Sequence, residues 1–269
     1  MHGLGNDFMV IDAIRQSVNL TPAQIARLSR RDVGVGFDQC LLIEESKQDG
    51  VDFFYRIYNA DGQEVGQCGN GARCLARFVQ HYQLSDKRLI TVATHTTRME
   101  LQINEDETVT VNMGQPELNP VNIPLHAPTT KPLYSIPLAD DQSHEAHAIS
   151  VGNPHAISIV ADLQSVAVET VGKAISEHPF FPEQANAGFM QIISPEHIKL
   201  RVYERGCGET QACGSGAVAA AVVGRLYHQL AQEITVSLPG GDLTVFWPDV
   251  NGPVFLTGPA AFVYEARLI

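Results

Sequence analysis

The chain contains one short motif twice, as Cys68-Gly69-Asn70-Gly71-Ala72 and, 145 residues later, as Cys213-Gly214-Ser215-Gly216-Ala217. Each copy leads directly into an alanine-rich apolar stretch, which predicts a buried helix that begins after the cysteine. Backbone N–H groups at a helix N-terminus favour an anion and lower the pKa of a thiol there. The motif therefore predicts two equivalent helices, each with a cysteine at its N-terminus that can act as a thiolate.

The residues around this motif repeat in the same register. An amide residue lies 62 or 60 positions before the cysteine, a second amide lies 33 positions beyond the first, and polar residues lie nine and four positions before the cysteine. They are Asn6, Gln39, Asn59 and Glu64 in the first copy and Asn153, Asn186, Glu204 and Glu209 in the second. Four matches in register indicate two copies of one ancestral unit, related by a pseudo-two-fold axis.

The composition argues against a membrane span, a nucleic-acid partner and a disulfide framework. Hydrophobic residues make up 44% of the 269 residues, and no apolar run reaches the roughly 18 residues of a spanning helix. A net charge of −12 repels phosphate backbones. Five cysteines, an odd and low number, indicate reduced thiols. Because no basic region followed by an apolar stretch opens the chain, we expect a cytoplasmic protein.

The coarse pattern is mixed α and β. Strands are predicted at 89–94, 99–103 and 108–112, and again at 198–203, 234–238, 243–247 and 254–257. Thr21 and Pro22 predict the start of a helix that runs to about Arg30, and Asp162 is expected to cap an equivalent helix through about Ile175. The proline-rich stretch 116–137 is the expected boundary between the copies.

These observations predict an α+β fold of two homologous, pseudo-symmetric domains. Each is expected to be a strongly bent, mostly antiparallel sheet wrapped around the helix that follows its cysteine. The first would comprise residues 1–115, with 258–269 packing back on it, and the second residues 116–257. The active site is expected in the interdomain cleft.

Two thiols on opposite sides of one carbon can invert a stereocentre. One thiolate removes the α-proton and the other thiol returns a proton to the opposite face, which is general acid–base catalysis. The N–H groups of Gly69, Asn70, Gly214 and Ser215 are candidates to stabilise the substrate carboxylate and the developing carbanion. With five lysines and no glycine-rich phosphate loop, neither pyridoxal phosphate nor a nucleotide cofactor is expected.

Five longer motifs surround these residues. They are Met1–Phe8, Asn59–Gly62, Gln67–Arg73, Gly152–His155 and Glu204–Gly216. They resemble the signatures of the diaminopimelate epimerase family over essentially the whole chain. The resemblance implies a cofactor-independent isomerase that interconverts LL- and meso-2,6-diaminopimelate, a step toward bacterial lysine and peptidoglycan. It also implies a homodimer, because Tyr264 matches a position that the family uses at its dimer interface.

The resemblance assigns roles to individual residues. Cys68 and Cys213 match the two catalytic bases, and His155 and Glu204 match catalytic positions that support the cysteines. The substrate-binding side chains are matched by Asn6, Gln39, Asn59, Asn153, Asn186, Glu204 and Arg205. Arginine suits a bidentate grip on the distant carboxylate of the substrate, and glutamate and amide oxygens suit its ammonium groups.

Three positions depart from the family pattern. Members usually carry several residues before the position of Met1, so the first strand is expected to be short. A small residue pair with glycine usually follows the position of Thr94, where this chain has His95-Thr96-Thr97, so this turn is expected to be strained or different. Cys207 occupies a variable position of the family and is not expected to be catalytic.

Other interpretations of the same residues remain open. Cys40 and Cys74 are expected to be buried structural cysteines. Four cysteines could bind zinc, but five residues separate the members of each pair, and structural sites usually have two to four. A related racemase that acts on proline or hydroxyproline is the nearer alternative, and a zinc-binding module without enzymatic activity is the more distant one.

Overall fold

The computed structural model describes residues 1–66, 68–138 and 143–268. The chain divides into two compact units, Met1–Asn112 with Thr257–Ile269, and Met113–Leu256. Since the second unit is contiguous and the first is not, the second is an insertion in the first.

The first unit contains eight strands and two helices within its described residues. They are β1 (His2–Gly3), β2 (Asn6–Asp12), α1 (Pro22–Ser29), β3 (Gln39–Glu45), β4 (Phe53–Asn59), β5 (Glu64–Val65), α2 (Gly69–His81), β6 (Leu89–Ala93), β7 (Arg98–Ile103) and β8 (Val109–Asn112).

The second unit repeats this order after an additional strand. Its elements are β9 (Tyr134–Pro137), β10 (Ser143–Ser150), β11 (Pro154–Ile159), α3 (Val168–Ser176), β12 (Asn186–Ser194), β13 (His197–Glu204), β14 (Gly208–Glu209), α4 (Gly214–Tyr227), β15 (Glu233–Leu238) and β16 (Gly241–Phe246). Strand β17 (Phe255–Gly258) crosses the unit boundary at residues 256 and 257.

The strand pairing repeats as well. Strands β2 and β3 are parallel, with Phe8 opposite Gln39, and β11 and β12 are parallel, with His155 opposite Asn186. The antiparallel pair β3–β4 corresponds to β12–β13, and the parallel pair β4–β6 corresponds to β13–β15. The internal repeat in the sequence is therefore a repeat of topology.

Each sheet wraps around one helix, as predicted. Helix α2 contacts β1, β2 and β3 and also β7 and β8, whereas α4 contacts β10 to β13 and also β15 and β16. A Cβ atom at Gly71 would lie 3.2–3.3 Å from side-chain atoms of Leu41 and Phe8, and one at Gly216 would lie 3.0 Å from Val202. Glycine lets both helices approach their sheets closely.

Helix α1 begins as predicted. Thr21 is its N-cap and Pro22 its first residue. The Thr21 hydroxyl accepts from the Gln24 N–H, and the Gln24 side chain accepts from the Thr21 N–H. This reciprocal capping box stabilises the helix start.

The predicted start of the second helix, at Asp162, was wrong. Asp162 caps only a single 3-10 turn, Leu163–Ser165, and α3 begins later, at Val168. The Arg201 guanidinium donates to the carbonyl groups of Leu163 at 3.1 Å and Val166 at 3.3 Å. Because Arg201 satisfies these carbonyls, the chain does not need to continue as a helix there.

The turn at His95-Thr96-Thr97 forms without glycine. None of these three described residues has a positive φ, so the turn does not require glycine. The Thr94 hydroxyl accepts from the N–H groups of Thr96 and Thr97 and closes the turn. The Thr94 and Thr96 hydroxyls both donate to the Gly66 carbonyl, at 2.6 and 2.9 Å, and so fix the backbone two residues before Cys68.

Among the helices in the described part of the chain, none combines the length and apolar character needed to cross a bilayer.

Candidate active site

Both repeated cysteines are N-cap residues. Cys68 precedes α2 and Cys213 precedes α4, and each has extended backbone angles. The carbonyl group of each accepts the first helical hydrogen bond, from Ala72 and Ala217, both at 2.9 Å. The sulfur atoms therefore lie at the positive ends of two buried helices, as the motif predicted.

In the first unit, two predicted amide side chains meet at Cys68. The Asn70 amide donates to Asn6 Oδ1 at 3.2 Å, and Cys68 Sγ lies 3.9 Å from the same oxygen. Gly69, the first residue of α2, separates Cys68 from Asn70.

The other two predicted residues of this unit form a pair on neighbouring strands. Gln39 Nε2 donates to Asn59 Oδ1 at 2.8 Å. The other oxygen, Gln39 Oε1, is buried and accepts no hydrogen bond from the described residues. A buried acceptor of this kind can take an N–H donor from a ligand.

A charged network holds Asn6 from the opposite side. Arg31 binds both oxygens of Asp7, at 2.7 and 2.9 Å, and Asp38 at 2.9 Å. Asp38 in turn accepts from Asn6 Nδ2 at 3.2 Å. Both hydrogen-bonding groups of the Asn6 amide are therefore engaged, which fixes its orientation.

In the second unit, His155 connects three of the predicted residues. Its Nε2 atom lies 3.1 Å from Asn153 Oδ1, 3.1 Å from Ser215 Oγ and 3.5 Å from Asn186 Nδ2. Asn153 also donates to Ser215 at 3.3 Å, and the Ser215 hydroxyl lies 3.7 Å from Cys213 Sγ. Asn153 and Ser215 are thus the counterparts of Asn6 and Asn70.

His155 is neutral at physiological pH. It is fully buried, and burial lowers its pKa to about 3, with a smaller effect from the Arg205 charge. Its Nδ1 atom is buried and contacts no hydrogen-bonding group in the described part of the chain. This environment suits a residue that orients its neighbours rather than one that exchanges protons near neutral pH.

Glu204 contacts Cys213 directly. The Cys213 thiol and the Glu204 carboxyl group are hydrogen-bonded, and the Thr210 hydroxyl donates to Glu204 Oε1 at 2.6 Å. Burial raises the pKa of Glu204, and burial and then the Glu204 charge raise the pKa of Cys213 well above its ordinary value.

Arg205 is exposed. Its backbone N–H donates to Asn186 Oδ1 at 2.9 Å, and its guanidinium donates to the Glu183 carbonyl at 2.9 Å. One guanidinium edge remains available because this side chain makes a single described hydrogen bond.

Gly214 is the first residue of α4, directly after Cys213.

The three cysteines outside the repeated motif have other environments. Cys40 and Cys74 are fully buried, and burial raises the pKa of each thiol to about 12. Cys207 is exposed in the turn between β13 and β14. Within the described residues no group of three or more metal-binding side chains is placed to hold an ion.

Two equivalent ion pairs, one in each unit, were not predicted from the sequence. Arg56 binds Glu64 through two bonds of 3.0 and 2.8 Å, and Arg201 binds Glu209 through two bonds of 2.6 and 2.8 Å. Both glutamates were found from the repeat. The two arginines also repeat in register, because each precedes its cysteine by 12 residues, and this match could have predicted the ion pairs.

Comparison with known proteins identifies the family. A model of the diaminopimelate epimerase family matches residues 1–119 and 147–263. The chain belongs to the diaminopimelate epimerase family.

Individual members of the diaminopimelate epimerase family match this chain over its whole length. The chain is 60% identical to the diaminopimelate epimerase of Legionella pneumophila strain Philadelphia 1 over 269 residues, which are 100% of this chain and 97% of the relative. It is 59% identical to that of strain Paris, with the same coverage. The family is one of isomerases.

More distant solved structures share the fold of the diaminopimelate epimerase family. A hydroxyproline epimerase from Agrobacterium vitis superposes with a TM-score of 0.68 at 13% identity, covering 98% of this chain and 89% of that one. A PhzF-family phenazine biosynthesis protein from Bacillus anthracis superposes with a TM-score of 0.67 at 16% identity, covering 100% and 95%. At these identities the likeness shows the fold alone.

Proposed function

We propose that the protein interconverts LL- and meso-2,6-diaminopimelate by moving the α-proton between two thiols, without a cofactor. The observation that carries the proposal is the presence of a cysteine at the N-terminus of each of two equivalent helices. Membership of the diaminopimelate epimerase family supports the choice of substrate. The reaction would serve the synthesis of lysine and peptidoglycan precursors.

The proton transfer needs one thiolate and one thiol. The thiolate removes the α-proton and becomes a thiol, and the other thiol protonates the opposite face of the carbanion and becomes a thiolate. This scheme requires Cys68 and Cys213 to reach opposite faces of the same α carbon. One proton is shared by the pair, so its titration belongs to both cysteines.

The carbanion formed on the substrate requires electrostatic stabilisation. We assign this role to the N–H groups at the starts of α2 and α4, at Gly69, Asn70, Gly214 and Ser215. Hydrogen-bond donors fixed before the reaction stabilise developing charge without reorganisation. His155 and Asn153 support this arrangement, since they hold Ser215 in place.

Side chains around the cysteines suit a ligand with two ammonium and two carboxylate groups. Asn6, Asn59, Asn186, Glu204 and the buried Oε1 atom of Gln39 offer oxygen atoms to ammonium groups. Arg205 has a guanidinium edge for the distant carboxylate. A monocarboxylic substrate such as proline would leave the Arg205 edge without a partner.

The proposal is tested with the purified, reduced protein in deuterium oxide. We expect LL-diaminopimelate to be inverted with uptake of deuterium at the α carbon. We expect Cys68→Ala and Cys213→Ala each to lower the inversion rate by at least about 10³-fold, because each removes one of two required proton carriers. Cys207→Ala is the matched control and should retain activity.

Two outcomes would contradict the proposal. Robust inversion by either catalytic-site variant would exclude the two-base scheme. Turnover of trans-4-hydroxy-L-proline but not of diaminopimelate would favour the hydroxyproline-type alternative, whose fold this chain shares.

We also infer a cytoplasmic homodimer. Catalysis by two unoxidised thiols requires a reducing compartment. In the first unit, β2 and residues 262–268 line a cavity of about 690 Å³ that includes neither catalytic cysteine. Val263, Tyr264 and Leu268 beside it are 59%, 60% and 49% exposed. Exposed apolar side chains around a cavity mark an interaction surface, and we infer that a second copy of the chain covers it.

A further inference from the structure

Arg73 is a buried cation close to Cys68 without an acidic partner. It lies in α2, five residues after Cys68, and is 0% exposed. Its guanidinium donates to Asn70 Oδ1 at 2.8 Å, to the Pro259 carbonyl at 3.2 Å and to the Gly69 carbonyl at 3.5 Å. All three acceptors are neutral, and no carboxylate in residues 1–66, 68–138 or 143–268 forms an ion pair with it.

A buried charge is costly unless an opposite charge compensates it. Burial lowers the pKa of Arg73, but a guanidinium remains protonated in proteins. The only groups that would place a negative charge on Arg73 if they ionised are, among the described residues, the thiols of Cys74 and Cys68. Because the pKa of Cys74 is raised to about 12, Cys74 is a thiol at neutral pH. Cys68 is therefore the group that can supply the compensating charge.

A chain of hydrogen bonds joins the same groups. Arg73 binds Asn70 Oδ1, the Asn70 amide donates to Asn6 Oδ1, and that oxygen lies 3.9 Å from Cys68 Sγ. Arg73 thus fixes which way the Asn70 amide faces. In this contact the Cys68 thiol donates to the amide oxygen at 3.9 Å, the long limit for a sulfur hydrogen bond, so ionisation of Cys68 gives up only a weak bond.

The other titratable groups nearby supply no unpaired negative charge. Burial raises the pKa of Tyr55, so its hydroxyl is neutral. The Met1 ammonium acts on Cys74 and is a second positive charge. Asp38, which reaches the site through Asn6, is paired with Arg31.

The residues around the second copy of the motif carry a negative charge where those around the first copy carry a positive one. Val218, also fully buried, occupies the position equivalent to Arg73, because both follow their cysteine by five residues. Glu204, hydrogen-bonded to Cys213, occupies the position equivalent to the neutral Asn59. A carboxylate beside a thiol opposes its ionisation.

We propose that Arg73 is a positioning residue that holds Cys68 as the thiolate of the substrate-free enzyme, while Glu204 keeps Cys213 as the thiol. This inference rests on the proposed function, because it assigns starting protonation states to the two-base scheme. Each turnover that begins with the Cys68 thiolate ends with a proton on Cys68 and a thiolate at Cys213. Exchange of protons with water then restores the starting state.

The order of ionisation can be measured on the reduced wild-type protein without substrate. Iodoacetamide alkylation is followed from pH 5 to 10, with peptide mass spectrometry to separate Cys68 from Cys213. We expect the midpoint for Cys68 to lie at least about one pH unit below that for Cys213. The midpoint is the readout rather than the maximal rate, because Cys213 is only 3% exposed and reacts slowly for steric reasons.

Three variants separate charge from structure. Arg73→Met should raise the Cys68 midpoint by about one to two pH units and move the acid limb of the kcat/KM profile with it. Arg73→Lys should keep most of the wild-type midpoint, since it keeps a cation. Arg77→Met is the matched control one turn later, because Arg77 is paired with Glu107 at 2.9 Å, and it should leave the Cys68 midpoint unchanged.

If the Cys68 midpoint of the wild-type protein lies at or above the Cys213 midpoint, the inference is overturned, whether or not Arg73→Met folds. An unchanged Cys68 midpoint in folded Arg73→Met would overturn the role of Arg73. Glu204→Gln should lower the Cys213 midpoint by about one unit, and no change there would overturn the role of Glu204. If diaminopimelate is not turned over but Cys68 ionises first, the proposed function fails and the order of ionisation stands.

Discussion

At the residue scale, the two copies of the motif are most informative where they differ. Phe8, Asn59 and Arg73 in the first unit correspond to His155, Glu204 and Val218 in the second. The spacing of the cysteines and amides was readable from the sequence because both copies keep it. The difference between Asn59 and Glu204 was also readable, but the buried charge of Arg73 was not, since arginine is rarely fully buried and Arg73 reads as an ordinary polar residue of a helix.

The buried His155 makes stability depend on pH. Its pKa is about 3 in the folded protein and near 6.5 when unfolded, so between these values only the unfolded chain binds the proton. The free energy of unfolding should therefore fall by up to about 1.4 kcal/mol per pH unit on acidification from pH 6.5 toward pH 3.

Urea denaturation at several pH values between 4 and 7 measures this slope. His155→Phe, which copies Phe8 of the first unit, should be less stable at pH 7 but should depend less steeply on pH. The difference between the two slopes isolates His155, because the other buried histidines are unchanged. Parallel slopes for the two proteins would contradict a neutral His155.

At the element scale, local capping signals were reliable only where no distant side chain competed with them. Thr21 and Gln24 satisfy each other, so α1 begins where the sequence predicted. Asp162 is also a favourable N-cap residue, but Arg201, on a distant strand, takes the carbonyl groups that a continuing helix would use. Such competition depends on tertiary structure and is invisible in a local pattern.

Helix α3 packs unusually closely on β13. A Cβ atom at Gly172 would lie 2.5 Å from Cβ of Tyr203, the residue before Glu204. Gly172→Ala should therefore lower the free energy of unfolding by about 1–3 kcal/mol, although alanine is the better helix former. Urea denaturation tests this, with the exposed Lys173→Ala as a control that should change stability by less than about 0.5 kcal/mol. A Gly172→Ala protein as stable as the wild type would contradict the close contact.

At the scale of the whole molecule, the repeat predicted two units of the same architecture because equivalent motifs recur at equivalent spacings. What the spacing could not predict is how residues 257–268 complete the first unit. Ala261 pairs with His2 through two backbone bonds of 2.9 Å, and the Phe262 ring lies 4.4 Å from that of His81. These contacts join residues far apart in sequence and follow no local pattern.

Removal of residues 259–269 should therefore loosen one unit selectively. The truncated protein loses the Pro259 carbonyl that binds Arg73 and the pairing partner of His2. We expect faster amide hydrogen exchange in β1 and α2, with little change in residues 113–256. Removal of 267–269 alone is the matched control. Equal loss of protection in both units would contradict their division.

The discontinuous first unit also has a consequence for synthesis on the ribosome. Domains usually fold as they are made, from the N-terminus onward, at about 5–20 residues per second. Here the 144 residues from Met113 to Leu256 are translated before Thr257 appears, which takes roughly 7–30 s. At the end of that interval the inserted unit has its whole sequence, while Arg73 still lacks one of its acceptors, the Pro259 carbonyl. The half encoded second is therefore the half that can finish folding first.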